Sequence, residues 1–175
     1  METNKKYDIV VFGATGFTGD LTAKYLAKQM KEEPFSLGIA GRDITKLDAL
    51  KNALITINPN CSEVGIINAD VNDYISLLKM TEQTKLVITT VGPYLKYGDS
   101  VVKACVEGNA HYLDLTGEGG FVNHVMNTYD KKAKENKVKI LNCCGFDSIP
   151  ADLGTYFTIK QLPSNEPIEV ECFVS

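Results

Sequence analysis

Residues 7–19 read YDIVVFGATGFTG, an apolar run that breaks into glycines three residues apart and then enters an amphipathic segment. Ile9, Val10, Val11 and Phe12 form the continuous apolar stretch expected of a strand covered on both faces. Across LTAKYLAKQM, Ala23, Leu26, Ala27 and Met30 recur at i, i+3, i+4 and i+7, one face of a helix. Strand, glycine turn and helix in this order make a cradle for a pyrophosphate, running from Gly13 and Ala14 to Gly19. Gly13 permits the tight turn, Gly16 lets the backbone approach a ligand with no Cβ between them, and Gly19 lets the helix pack close to the strand. Free N–H groups at the helix start then face the phosphates. The spacing is GxxGxxG rather than the commoner GxGxxG, and a plain connecting turn is the alternative. The flanking strand and helix favour the ligand.

Length and charge narrow the class. A chain of 175 residues suffices for one domain with a sizeable core and is too short for two full ones. A net charge of -4 offers no broad electrostatic attraction to nucleic acid or acidic membranes. No apolar run reaches the ~20 residues of a membrane span, and METNKK leads into a strand without a signal-peptide pattern. We therefore expect an intracellular protein on the cytoplasmic side. Its five cysteines, odd in number and irregularly spaced, agree with a reducing compartment. Cys143 and Cys144, as strand neighbours, would point to opposite faces and neither pair nor share a metal. Cys61, Cys105 and Cys172 lack companions at metal-site spacing, and His111 and His124 are the chain's histidines. We expect no metal site.

Further strands are expected at 35–40, 64–69, 86–91, 111–115 and 138–143, separated by helical patterns. The second helix places Ile44, Leu47, Leu50 and Leu54 inward with Asp43 as cap. A third covers DYISLLKM. The fourth, SVVKACVEG, has Asp99 or Ser100 as cap and Gly108 as stop. The fifth follows FVNHVMNTYDKKAKEN, with Val122, Val125, Met126, Tyr129 and Ala133 on one stripe. This alternation predicts an α/β doubly wound Rossmann sheet of six parallel strands in the order 3-2-1-4-5-6. After it, GFDSIPADLGTYF starts another helix with Ser148 as cap and Pro150 in the first turn. QLPSNEP reads as a linker, and IEVECFVS alternates as a half-buried strand. A terminal strand needs a sheet to join. The expected division is a dinucleotide-binding domain over 1–157, then a linker and the first strand of a truncated second α+β domain over 158–175. An added edge strand on the first sheet is the alternative.

In NAD-preferring Rossmann domains an acidic residue ends the second strand and binds the ribose 2′-OH. Here Gly41 and Arg42 stand there, and a guanidinium pairs with a 2′-phosphate where an acid would repel it. NADPH is therefore predicted over NADH. Asp43 is the counter-candidate, with helix capping as its other role. Asp70 and Val71, after strand three, are placed to border the adenine. Val91, Gly92, Pro93 and Tyr94, after strand four, are placed toward the nicotinamide. No catalytic residue is assigned. Tyr156 and Lys160 match the YxxxK spacing of short-chain dehydrogenases, in which the lysine lowers the tyrosine pKa, but they follow strand six rather than strand five. A packing helix is the preferred reading. Of His111, Asp114 and Glu118 on the fifth strand and its loop, Glu118 is a candidate polar contact.

VVFGATGFTGDLTAKYLA, IAGRDITKLDAL, TTVGPYLKYGDSVVKACVEGNAHYLDLTGE and CCGFDSIPADLG together resemble the N-terminal domain of the saccharopine dehydrogenase-like oxidoreductases, which include mycobacterial trans-acting enoyl reductases. The resemblance covers residues 7–157. It implies NADP(H) binding by Gly13, Thr15, Gly16, Phe17, Thr18 and Arg42, and a second α+β domain bearing much of the substrate site. It also implies a small-molecule or lipid-related substrate and lipid-droplet or membrane association, with a homodimer allowed. Asp20 departs from the basic residue of many members, and GEGGF from their GExxF. The implied function is hydride transfer by an NADPH-dependent oxidoreductase of which this chain is the cofactor domain, inactive alone. A non-catalytic NADPH sensor or scaffold shares the same glycines and stays open as the alternative.

Overall fold

The computed structural model describes residues 5–163 and 165–173. The strands are β1 (Tyr7–Phe12), β2 (Leu37–Gly41), β3 (Gly65–Asn68), β4 (Thr84–Thr89), β5 (His111–Asp114) and β6 (Ile140–Leu141). The helices are α1 (Phe17–Gln29), α2 (Ile44–Ile57), α3 (Tyr74–Glu82), α4 (Tyr94–Glu107), α5 (Gly119–Glu135) and α6 (Ile149–Lys160). The six strands form one parallel sheet in the order β3-β2-β1-β4-β5-β6. This is the predicted doubly wound Rossmann order, which reverses between β1 and β4.

Side chains alternate across β1 and so feed two separate cores. Val10 and Phe12 join Met80, Val87, Tyr112 and Phe121 on the face covered by α3, α4 and α5. Val11 joins Ala23, Ala27, Leu47 and Leu54 on the face covered by α1 and α2. The pattern expected for α2 holds for Leu47, Leu50 and Leu54, whereas Ile44, in its first turn, is 39% exposed. In α5 the buried stripe is Phe121, Val125, Tyr129 and Ala133. It runs at strict i+4 steps, so it includes Phe121 and leaves Met126 outside.

Three boundaries differ from expectation. Helix α4 begins at Tyr94, with Pro93 at its N-cap, rather than at Asp99 or Ser100. Asp99 lies inside the helix and reaches α5, accepting a hydrogen bond from Tyr129 Oη at 2.8 Å and pairing with His124 Nε2 at 2.6 Å. Strand β6 is two residues long, and Cys143, just beyond it, turns to φ 62. The two adjacent cysteines therefore do not sit side by side in a strand. Ser148 holds the N-cap position of α6 but makes no side-chain cap bond. Residues 168–173 carry no strand and join no sheet, while Val174 and Ser175 lie outside the described residues.

Candidate functional site

A crevice of about 320 Å³ opens at the C-terminal ends of the central strands. From the predicted residues it gathers Gly13, Thr15, Gly16, Gly41, Arg42, Asp70, Val71, Val91 and Gly92. These come from four different connections, brought together because the strand order reverses between β1 and β4.

The floor is the glycine turn. Gly13 stands at φ +83, and a Cβ there would meet Val91 Cγ2 at 2.7 Å and Thr90 Oγ1 at 2.9 Å. Its N–H donates to Ala40 O at 2.9 Å, and the Thr90 hydroxyl lies 3.2 Å from Gly13 O. The turn is thus tied to both neighbouring strands. Helix α1 starts at Gly16 without a side-chain cap, and its first i+4 bond runs from Asp20 N to Gly16 O at 2.8 Å. The N–H groups of Phe17, Thr18 and Gly19 have no intrahelical acceptor, which is the donor set an anion takes, while the Gly16 N–H donates back to Gly13 O at 3.0 Å. No Cβ stands over the turn at either Gly13 or Gly16. The site fits a pyrophosphate.

Arg42 is exposed at the rim of the crevice. Asp43, its neighbour, accepts the Lys46 N–H at 3.1 Å and caps α2. Asp70 accepts the Asn72 backbone N–H at 2.9 Å, which shapes the loop after β3.

Other expected residues take different places. Ala14 is fully buried in the α1/α2 core. Gly19 lies under Gly13, Phe17 is 85% exposed, and Thr18 is exposed on the first turn of α1. Pro93 and Tyr94 do not line the crevice. The Tyr94 ring is buried and tilted against Phe121 at 5.9 Å, and its hydroxyl donates to Thr89 O at 3.1 Å. Burial, with the negative Asp114 and Glu118 nearby, pushes its phenol up to about 12. Phe12, Ala69, Asn72, Thr90 and Tyr97 line the crevice without having been singled out. All but Tyr97 lie next to a residue that was, so extending each marked loop by one position would have found them.

Glu118 is turned away from the crevice. Its carboxyl oxygens accept the N–H groups of Tyr94 at 2.7 Å and Leu95 at 2.9 Å, capping α4 from the β5–α5 loop. His111 Nδ1 accepts the Lys139 N–H at 3.0 Å on the far side of β5. Asp114 is fully buried and accepts from Tyr112 Oη, Asn142 Nδ2, and the backbone N–H groups of Thr116 and Cys143. Tyr156 and Lys160 lie on α6, where Lys160 Nζ sits 5.4 Å from the Tyr156 ring centroid. Neither lines the crevice. Among the described residues no helix is long and apolar enough to cross a membrane.

Fold and crevice together define a dinucleotide-binding Rossmann domain. The chain belongs to the family described as the saccharopine dehydrogenase NADP binding domain, which matches residues 9–141. Its cofactor is accordingly NADP(H). A lipid droplet localized protein of Caenorhabditis elegans is 41% identical over 97% of this chain and 40% of its own length. A trans-acting enoyl reductase of Mycobacterium tuberculosis is 39% identical over 87% of this chain and 35% of its own length. The chain thus spans about two fifths of these relatives. Saccharopine dehydrogenase of Saccharomyces cerevisiae superposes with a TM-score of 0.70 at 17% identity, covering 89% of this chain and 31% of that one, a likeness of fold.

Proposed function

We propose that the chain holds NADP(H) with the pyrophosphate against the turn from Gly13 to Thr18, the 2′-phosphate at Arg42, the adenine beside Asp70 and Val71, and the nicotinamide toward Val91 and Gly92. The observation that carries this reading is the uncapped N-terminus of α1 over a glycine turn, with Arg42 on the same crevice. Asp43 is engaged as the α2 cap, which leaves Arg42 to meet the 2′-position. Bound NADP(H) supplies or accepts a hydride, and the residues of this chain bind it and orient it.

The activity of a longer protein containing this domain is then an oxidoreduction on a small-molecule, lipid-related substrate. The enoyl reductase and lipid-droplet relatives support that class, and with it an intracellular place on or near a lipid surface. Helix α6 buries no residue, and Leu153, Tyr156 and Phe157 on it are exposed. A second domain beginning after residue 157 would cover that surface.

Calorimetric titration of the chain with NADPH and NADH tests the cofactor assignment. NADPH binds more tightly, and Arg42→Ala removes that preference, since a charge-assisted pair to phosphate is about twice as strong as a neutral one. An unchanged NADPH to NADH ratio in Arg42→Ala would defeat the 2′-phosphate assignment.

A further inference from the structure

Helices α1 and α4 follow β1 and β4, the two strands between which the sheet order reverses, and the protein treats their N-termini differently. Helix α1 starts on a glycine with no side-chain cap, whereas the first two N–H groups of α4 are both taken by Glu118. The next two, from Lys96 and Tyr97, fold back on Pro93 O at 3.2 and 3.0 Å. No donor of α4's first turn is left for a ligand. A carboxyl group at that end also opposes the partial positive charge that would attract a phosphate.

Glu118 is itself held in place. Its backbone N–H donates to Thr116 Oγ1 at 3.0 Å, and the Thr116 N–H donates to Asp114 Oδ1 at 3.1 Å. Asp114 also holds Asn142 and Cys143 beyond β6, at 2.7 and 2.9 Å. A continuous set of hydrogen bonds therefore runs from the end of β6 to the N-terminus of α4, which directly follows Val91 and Gly92 on the crevice wall.

We propose that Glu118 is a positioning residue: it closes the α4 N-terminus to phosphate, leaving α1 as the pyrophosphate seat, and fixes Val91 and Gly92 for the nicotinamide half. This rests on the cofactor reading above. Glu118 acts through the Tyr94 and Leu95 N–H groups and does not touch the cofactor.

The test compares NADPH with 2′-phospho-ADP-ribose, which carries the pyrophosphate and 2′-phosphate but no nicotinamide, by calorimetry on wild type, Glu118→Ala and Glu118→Gln, with melting temperature recorded for each. Freeing the Tyr94 and Leu95 N–H groups loosens the adjoining Val91–Gly92 wall, and re-ordering it on binding predicts a fall in NADPH affinity of about tenfold in Glu118→Ala. The affinity for 2′-phospho-ADP-ribose stays within about twofold, because α1 and Arg42 are untouched. Glu118→Gln, which keeps one acceptor oxygen, recovers part of the NADPH affinity. Equal loss for both ligands, or no loss for either, overturns the role of Glu118 while leaving the cofactor site standing. A wild-type chain that binds neither ligand overturns the cofactor reading and this inference with it.

Discussion

The carbonyl oxygen of Gly13 lies 2.2 Å from the point that a β-carbon on Gly19 would occupy, with Ala14 Cα at 2.8 Å. Both obstacles are backbone, so neither can swing aside. Gly19→Ala must push α1 off the turn, and we expect a loss of about 1–3 kcal/mol or more together with weakened NADPH binding. Gly154→Ala on α6 is the control, since nothing lies within 4 Å of its added carbon. It should be neutral or stabilise by up to ~1 kcal/mol, as alanine does in a helix. Urea denaturation of the two variants checks the contrast.

Asp114→Asn replaces one acceptor oxygen of a buried carboxyl with a donor that faces other donors. With four hydrogen bonds focused on the two oxygens, the expected cost is about 2–4 kcal/mol. Hydrogen exchange should show the 115–118 loop and the segment after β6 opening together. Separate opening of the two would argue against a shared anchor.

Stability should fall in acid through Asp8. The Lys85 hydrogen bond, with backbone and hydroxyl bonds from Ser36, holds its carboxyl at about 2 against an ordinary 3.8. A folded pKa below the unfolded one means the contribution is complete above about pH 4 and is lost as pH falls from about 4 to about 2. The Asp8 side chain is 36% exposed, so solvent screening keeps the contribution under about 1 kcal/mol. Melting curves of wild type and Asp8→Asn should separate above pH 4 and converge near pH 2.

Tyr156→Phe and Lys160→Ala should each leave NADPH affinity within about twofold of wild type, as surface changes away from a site do. Both residues project from α6 outside the crevice. A loss of tenfold or more in a titration would restore the YxxxK reading.

The sheet order was legible because β1, β2 and β3 each carry a short apolar run and each crossover carries its own helical period. The α2 start was legible for the same local reason, since Asp43 caps a bond only three residues ahead. The α4 start was not. Its cap comes from Glu118, 24 residues from Tyr94, and no local pattern marks a cap supplied by tertiary contact. Asp99 looked like a cap by type and position, but its carboxyl serves Tyr129 and His124 across the helix interface. The lining of the crevice was readable where backbone freedom mattered, at Gly13 and Gly16, and where a strand end carries a charge, at Arg42. Pro93 and Tyr94 lie off the crevice lining because α4 begins at Tyr94 and carries its ring into the core.

The division of the interior by the sheet has a consequence for how this domain tolerates change. Leu54 lies among side chains on one side and Met80 among side chains on the other, and the two buried clusters have no residue in common. Damage to one side has no shared buried side chain through which to relax or worsen damage to the other. The free-energy losses of Leu54→Ala and Met80→Ala should therefore sum in the double variant to within about 0.5 kcal/mol, so that a sheet only one chain thick acts as an insulator between two mutational compartments.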